Sequence, residues 1–114
     1  MTEDLFDRAL ELVMDGGQTL LANGGEVFRV QQTMEIMAAS LGVQDFHVYV
    51  LTNGIFASAH LPGGESVTLV RHVPTVSIHL GRVEAVNELS RELAAGKLGV
   101  VEAEQKLAAA RALP

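Results

Sequence analysis

The sequence predicts an α+β domain in which a helical hairpin, a three-stranded antiparallel sheet and two further helices follow in the order α-α-β-β-β-α-α. Three observations carry this. Apolar residues recur with a period near 3.6 up to Leu41 and again after Ile78, and with a period near 2 between them. Turn signals separate these runs: Asn23-Gly24-Gly25, Gly42, Asn53-Gly54, Pro62-Gly63-Gly64, Pro74 and Gly96. At 114 residues, 48% apolar and 19% charged, the chain has the balance of a single domain (1–114) with one modest core.

Thr2 can cap a first helix over residues 3–22, with Leu5, Ala9, Leu12, Val13, Gly16 and Leu20 on one face. Glu3, Asp4, Arg8, Glu11 and Asp15 point outward, and Asp4 and Arg8 stand at the i,i+4 spacing of an ion pair. Gly16-Gly17 costs about 1 kcal/mol per residue against alanine. The pair therefore implies close helix packing or a kink, with a ligand against bare backbone as the sharper alternative. The next helix is read as the one the chain is organised around. Asn23 can cap it, Glu26 sits in its first turn, Val27, Val30, Met34, Met37, Ala38 and Leu41 line one face, and Gly42 ends it.

After Gly42, Phe46, Val48 and Val50 alternate with His47, Tyr49 and Leu51, a strand pattern. A type I′ turn at Asn53-Gly54 would set Thr52 opposite Ile55, Val50 opposite Ala57, Val48 opposite Ala59 and Phe46 opposite Leu61. On the other face His47 would oppose His60. A three-residue loop at Pro62-Gly63-Gly64 brings Val67 and Leu69 onto the core face, whereas a two-residue loop would bring Ser66 and Thr68 there. Thr75 or Ser77 can cap a third helix over 78–95, with Val83, Val86, Leu89 and Leu93 inward. A last helix over 100–112 buries Val100, Ala103, Leu107 and Ala110 and exposes a Glu102–Lys106 pair.

Composition excludes several functions. The net charge is −6 and the eight basic residues are scattered from Arg8 to Arg111, so no surface neutralises nucleic-acid phosphates. There is no cysteine, hence no disulfide framework and no thiolate metal site. No apolar run reaches the ~18 residues of a membrane span, and Met1-Thr2-Glu3-Asp4 lacks the basic region of a signal peptide. A cytoplasmic location is expected. No Gly-x-Ser-x-Gly, Walker or His-Glu-x-x-His motif occurs, and no cofactor is expected.

The order of motifs carries a resemblance. Gly24-Gly25-Glu26-Val27-Phe28-Arg29-Val30 opens a helix that ends in Leu41-Gly42; Thr52-Asn53-Gly54-Ile55, Thr68-Leu69-Val70-Arg71, Ile78-His79-Leu80, Asn87-Glu88-Leu89 and Gly96-Lys97-Leu98 follow. Over nearly its whole length the chain resembles the N-terminal soluble domain of the threonine/serine exporter family. The resemblance implies a cytoplasmic domain at the inner face of the cell membrane, partnered by a membrane-embedded exporter domain in the same or a separate chain. It also implies export of threonine and serine, or of succinate in two-chain relatives, and it brings a suggested hydrolase-like activity. Glu26, Arg29, Arg71 and the Asn53-Gly54 turn match the family's polar positions. Gln31 and Gln32 stand where an acidic residue often follows the arginine, and His79 stands where relatives tend to have asparagine.

Five residues are candidates for binding a small amino acid or dicarboxylate: Glu26, Arg29, Asn53, Arg71 and His79. Glu26 and Arg29 can anchor a ligand at a helix N-terminus, or form a cap and an ordinary salt bridge. Arg71 ends a strand with its side chain on the core side, so it needs a carboxylate, with Glu26 or Glu35 as partners, unless a ligand supplies one. His72 and His79 can act as a base, although no serine or aspartate partner is placed for them. His47 and His60 lack a third ligand for a metal. The expected function is a non-catalytic accessory domain of an exporter, able to form homo-oligomers through an outer sheet face bearing Leu51, Phe56 and Val70. The alternatives are a small hydrolase or an amino-acid sensor in which Arg29 and Arg71 bind carboxylate.

Overall fold

A computed structural model describes residues 1–74 and 77–114. Helices α1 (Glu3–Ala22) and α2 (Val27–Ser40) form the hairpin. Strands β1 (His47–Leu51), β2 (Gly54–His60) and β3 (Ser66–His72) follow, then helices α3 (Leu80–Ala94) and α4 (Val100–Arg111). The order is the predicted α-α-β-β-β-α-α, and the sheet is antiparallel with β2 in the centre. Among the described residues no helix is long and apolar enough to cross a membrane.

Helices α1 and α2 share the centre of the core. Helix α1 packs against α2, α3 and α4, and α2 packs against α1, α3 and β1. Burial follows: Phe6, Ala9, Leu10, Leu12, Val13, Met14, Leu20 and Leu21 are all buried, far more than one stripe, while Leu5 of the predicted stripe is exposed. Gly16 and Gly17 serve close packing. A β-carbon on Gly16 would lie 3.0 Å from Met37 Cε, and one on Gly17 only 2.2 Å from Met34 Sδ. Thr2 caps α1 as expected, its hydroxyl accepting from the Leu5 N–H at 3.1 Å. Arg8 pairs with Glu104 of α4 rather than with Asp4, which joins the first and last helices.

Helix α2 is capped three residues later than expected. Glu26 is its N-cap residue, with no side-chain capping bond, and Asn23 belongs to the end of α1. The buried face holds Val30, Thr33, Met34, Met37 and Ala38. Gln31, on the flank, reaches the edge strand: its Oε1 accepts from the Val50 N–H at 3.2 Å, so an exposed strand edge gains a partner.

The sheet keeps its predicted faces but not the predicted β1–β2 register. Val50 pairs with Ile55, Val48 with Ala57 and Tyr49 with Phe56, and Leu51 opposes Gly54. The turn is therefore Thr52-Asn53, and neither Asn53 nor Gly54 has the positive φ that a type I′ turn requires. The third strand supplies the reason. Gly54 pairs with His72, a β-carbon there would lie 3.3 Å from the Arg71 carbonyl, and the Asn53 carbonyl accepts from the Val73 N–H at 2.8 Å. A shift of two residues preserves facing, so Val48, Val50, Ile55, Ala57 and Ala59 remain buried, while Thr52 moves from the core side into the exposed turn. The β2–β3 loop is the three-residue one, closed by Leu61 N–H to Glu65 O, and Val67 and Leu69 face inward.

Helix α3 starts at Leu80, and its cap is His79 rather than Ser77; Thr75 lies outside the described residues. Val86, Leu89 and Leu93 are buried as predicted, with Val83 half-buried. In α4, Ala103, Leu107 and Ala110 are buried. Glu102 does not pair with Lys106: its carboxylate accepts from the Gly99 N–H at 3.1 Å, and Lys106 reaches Glu92 of α3 at 2.7 Å.

Candidate functional site

Polar residues concentrate where helix ends meet. The end of α1, the start of α3 and the residues after α4 come together around Asn23, His79 and Leu113. The Asn23 carbonyl accepts from the His79 N–H at 2.9 Å, its Nδ2 donates to Thr19 O at 2.7 Å, and its Oδ1 accepts from Arg82 at 3.3 Å. Arg82 also donates through Nε and Nη2 to Leu113 O at 3.1 and 2.7 Å. His79 Nδ1 accepts from the Arg82 N–H at 3.0 Å, which leaves the proton on Nε2, 2.8 Å from Pro114 O. Both ring nitrogens of His79 are thus occupied, Nδ1 as the cap of α3.

Gln18, Thr19, Ala22, Asn23, Arg82 and Arg111 line a cavity of about 230 Å³ here. Two guanidinium groups on one wall suggest an anion site, but the helix ends oppose that reading. The C-termini of α1 and α4 each present roughly half a negative charge to this corner, against the opposite charge of the α3 N-terminus. Arg82 and Arg111 meet that field. Arg111 stands in the last turn of α4 and donates to the Thr19 hydroxyl at 3.0 Å, with Asp15 at 3.9 Å. Both arginines are accounted for by backbone carbonyls and helix dipoles.

Arg71 lies on the core side of β3 as expected, opposite the buried Ile55. Its partners are not Glu26 or Glu35 but three side chains of α1: Asp15 at 2.6 Å, Gln18 at 2.9 Å and Glu11 at 2.7 Å. The Arg71 side chain is 21% exposed. The open end of the sheet is thereby clamped to α1, and both carboxylates read as solvent-facing in the sequence are consumed.

Glu26 and Arg29 are exposed and line a different cavity of about 210 Å³, with Leu20, Gly24, Gly25, Val30, Val83 and Asn87. That cavity contains neither Arg71 nor a histidine. Asn53 is at the exposed hairpin tip and contributes its carbonyl to β3. The five candidate residues therefore occupy four separate places, and Arg29 and Arg71 do not line one cavity.

The histidines of the sheet meet through a residue that strand spacing alone did not place. With the observed register His47 opposes Ser58, not His60. Asp45, at φ 54, holds both rings, Oδ1 at 3.1 Å from His47 Nε2 and Oδ2 at 2.8 Å from His60 Nδ1. The hydrogen bond from His47 holds the Asp45 carboxyl below the usual aspartate range, and the charges of the two imidazoles act in the same direction. Among the described residues no group of three side chains is placed to hold a metal ion, and no serine or threonine hydroxyl meets a histidine.

Arg82 and Arg111 are the polar residues missed from sequence. Their available signals were a cation three residues into a helix after a capping position, and a lone basic residue in the last turn of an alanine-rich helix. Compared with known protein families, residues 11–113 match the model of a family described as "putative threonine/serine exporter". Among curated proteins and among solved structures nothing matches the chain.

Proposed function

The chain belongs to the threonine/serine exporter family, and we propose that it is a non-catalytic accessory domain of such an exporter, working on the cytoplasmic side beside a membrane-embedded part. Its role is to regulate or feed that part, with threonine, serine or a small dicarboxylate as the transported metabolite. The observation that carries this reading is the fate of Arg71. A hydrolase or sensor built on Arg29 and Arg71 needs both cations at one ligand, whereas Arg71 is held by Glu11, Asp15 and Gln18 and Arg29 lines a cavity elsewhere. With His79 engaged at both nitrogens, a general base at that position is also disfavoured.

The test uses an exporter-deficient cell producing the membrane part of a family exporter, with and without this chain. Threonine and serine efflux should depend on the chain, and the purified chain should not cleave ester or amide conjugates of either amino acid. Equal efflux in both strains, or saturable cleavage lost on Arg29→Ala, would refute the accessory reading.

A further inference from the structure

The face of the sheet turned away from the helices has an unusual composition. Its outward positions are His47, Tyr49 and Leu51 on β1, Gly54, Phe56, Ser58 and His60 on β2, and Ser66, Thr68, Val70 and His72 on β3. None is Asp, Glu, Lys or Arg, although charged residues make up 19% of the chain. Its centre is apolar and open: Tyr49, Phe56 and Val70 form one transverse row across all three strands, 72%, 44% and 62% exposed, with Leu51 beside them at 52%. Histidines and hydroxyls surround that row, and the Asp45 carboxylate sits at one corner, bonded to His47 and His60.

We infer that this face is an interface with a second copy of the chain, packed sheet against sheet about a two-fold axis through β2. Charge selects the occupant. Outside this face the chain is acidic, with a net charge of −6. An anionic lipid surface would repel it and would find no Lys or Arg on the face to hold. The face also carries none of the charge complementarity that steers and orients a heterologous protein partner. A second copy needs none, because a two-fold interface sets the same patch against itself and an uncharged patch creates no like-charge contact. Phe56, on the central strand, then lies next to the axis and packs against the partner's apolar row, as in a sandwich with sheets about 10 Å apart.

Area sets the strength. Three strands of five, seven and seven residues, about 4.8 Å apart with about 3.3 Å per residue, offer roughly 300 Å² of face per copy. A standard interface buries about 800 Å² per partner, so the dimer belongs among weak, concentration-dependent ones, micromolar or weaker.

Sedimentation of the whole chain from about 5 to 500 µM tests this. The average mass should rise from 12.2 kDa towards twice that value. Val70→Glu and Thr68→Glu, both at exposed outward positions, should each weaken association at least tenfold with an unchanged far-UV spectrum. A second measurement needs no variant: amide shifts of the wild type should move with concentration at Tyr49, Phe56 and Val70, and not at Phe28 or Ile78. A mass of 12.2 kDa across the whole range, association unaffected by Val70→Glu, or shifts confined to Phe28 and Ile78 would each overturn the inference. Loss of the dimer would leave the efflux result unchanged, so the two readings fail separately.

Discussion

Replacing Gly17 and Gly16 by alanine, one at a time, asks whether the hairpin is held by the close approach of α1 and α2. Helix propensity treats the two positions alike, since each substitution should stabilise a helix interior by about 1 kcal/mol. The surroundings separate them. At Gly16 the new β-carbon meets only the far end of Met37, with Cε at 3.0 Å and Sδ at 3.1 Å, which a shift of a few tenths of an ångström relieves. At Gly17 it meets three atoms of Met34 at once, Sδ at 2.2 Å and Cγ and Cε at 2.8 Å, and Met34 is fully buried. Because Cγ is near the root of the side chain, swinging the terminus away is not enough; the whole side chain must take another rotamer inside a closed core.

Overpacking of this kind costs about 1–3 kcal/mol. Against the propensity gain, Gly17→Ala should be destabilised by up to about 2 kcal/mol, a fall of up to roughly 8 °C in Tm for a domain of this size. Gly16→Ala should lie within about 0.5 kcal/mol of the wild type or above it. Urea unfolding with an unchanged m-value, together with thermal melts, reads both. The double variant Gly17→Ala/Met34→Ala should lose the clash, so the two changes should couple by more than about 0.5 kcal/mol. Equal stabilisation by both single substitutions would refute the reasoning, because it would mean the helices are not in contact at Gly17.

Two further predictions concern caps and charge. His79→Ala removes the acceptor of the Arg82 N–H and should cost about 1 kcal/mol in urea unfolding, whereas His79→Asn, a good cap residue, should recover most of it; equal losses in both would place the role of His79 elsewhere. The Asp45 carboxyl is held below its ordinary value of 3.8 by the hydrogen bond from His47. Its contribution to stability is therefore complete above about pH 4 and lost as pH falls through the lower folded value. Melts of the wild type and Asp45→Asn should differ near pH 5 and converge towards about pH 2, asparagine also tolerating the positive φ at this position.

Element order and most of the core were legible because periodicity is a local property. Val86, Leu89, Leu93, Ala103 and Leu107 lie inward where the 3.6-residue pattern puts them. The β1–β2 register was not legible from Asn53-Gly54, because that dipeptide reports only its own turn preference. The pairing of Gly54 with His72 and of Asn53 with Val73 is a property of the third strand. Arg71 shows the same division. Strand alternation correctly put it on the core side and required a carboxylate, but which helix passes over the strand end depends on the packing of α1. Glu11 and Asp15 look solvent-facing on a helical wheel, and they are solvent-facing until β3 ends beside them.

The dispersal of the candidate residues has a related reason. Short connections force the end of α1, the start of α3 and the segment after α4 into one corner, and each brings backbone groups that no helix satisfies. Asn23, His79, Arg82 and Arg111 are the side chains able to satisfy them, through the Thr19 and Leu113 carbonyls, the Arg82 N–H and the Thr19 hydroxyl. Polar residues at helix ends in a small domain are thus needed by the fold before any ligand is considered. Arg29 stands apart from this network, exposed on the first turns of α2, with no ion pair or hydrogen bond from its side chain among the described residues. The sheet's outer face is likewise free of such demands, since its backbone is already paired within the ladder and its side chains cap nothing. An apolar row of Tyr49, Phe56 and Val70 kept there, with no charge among the strand residues around it, is not required by the folding of one chain. Its explanation therefore belongs to association, and the mass of the chain in solution is the quantity that decides it.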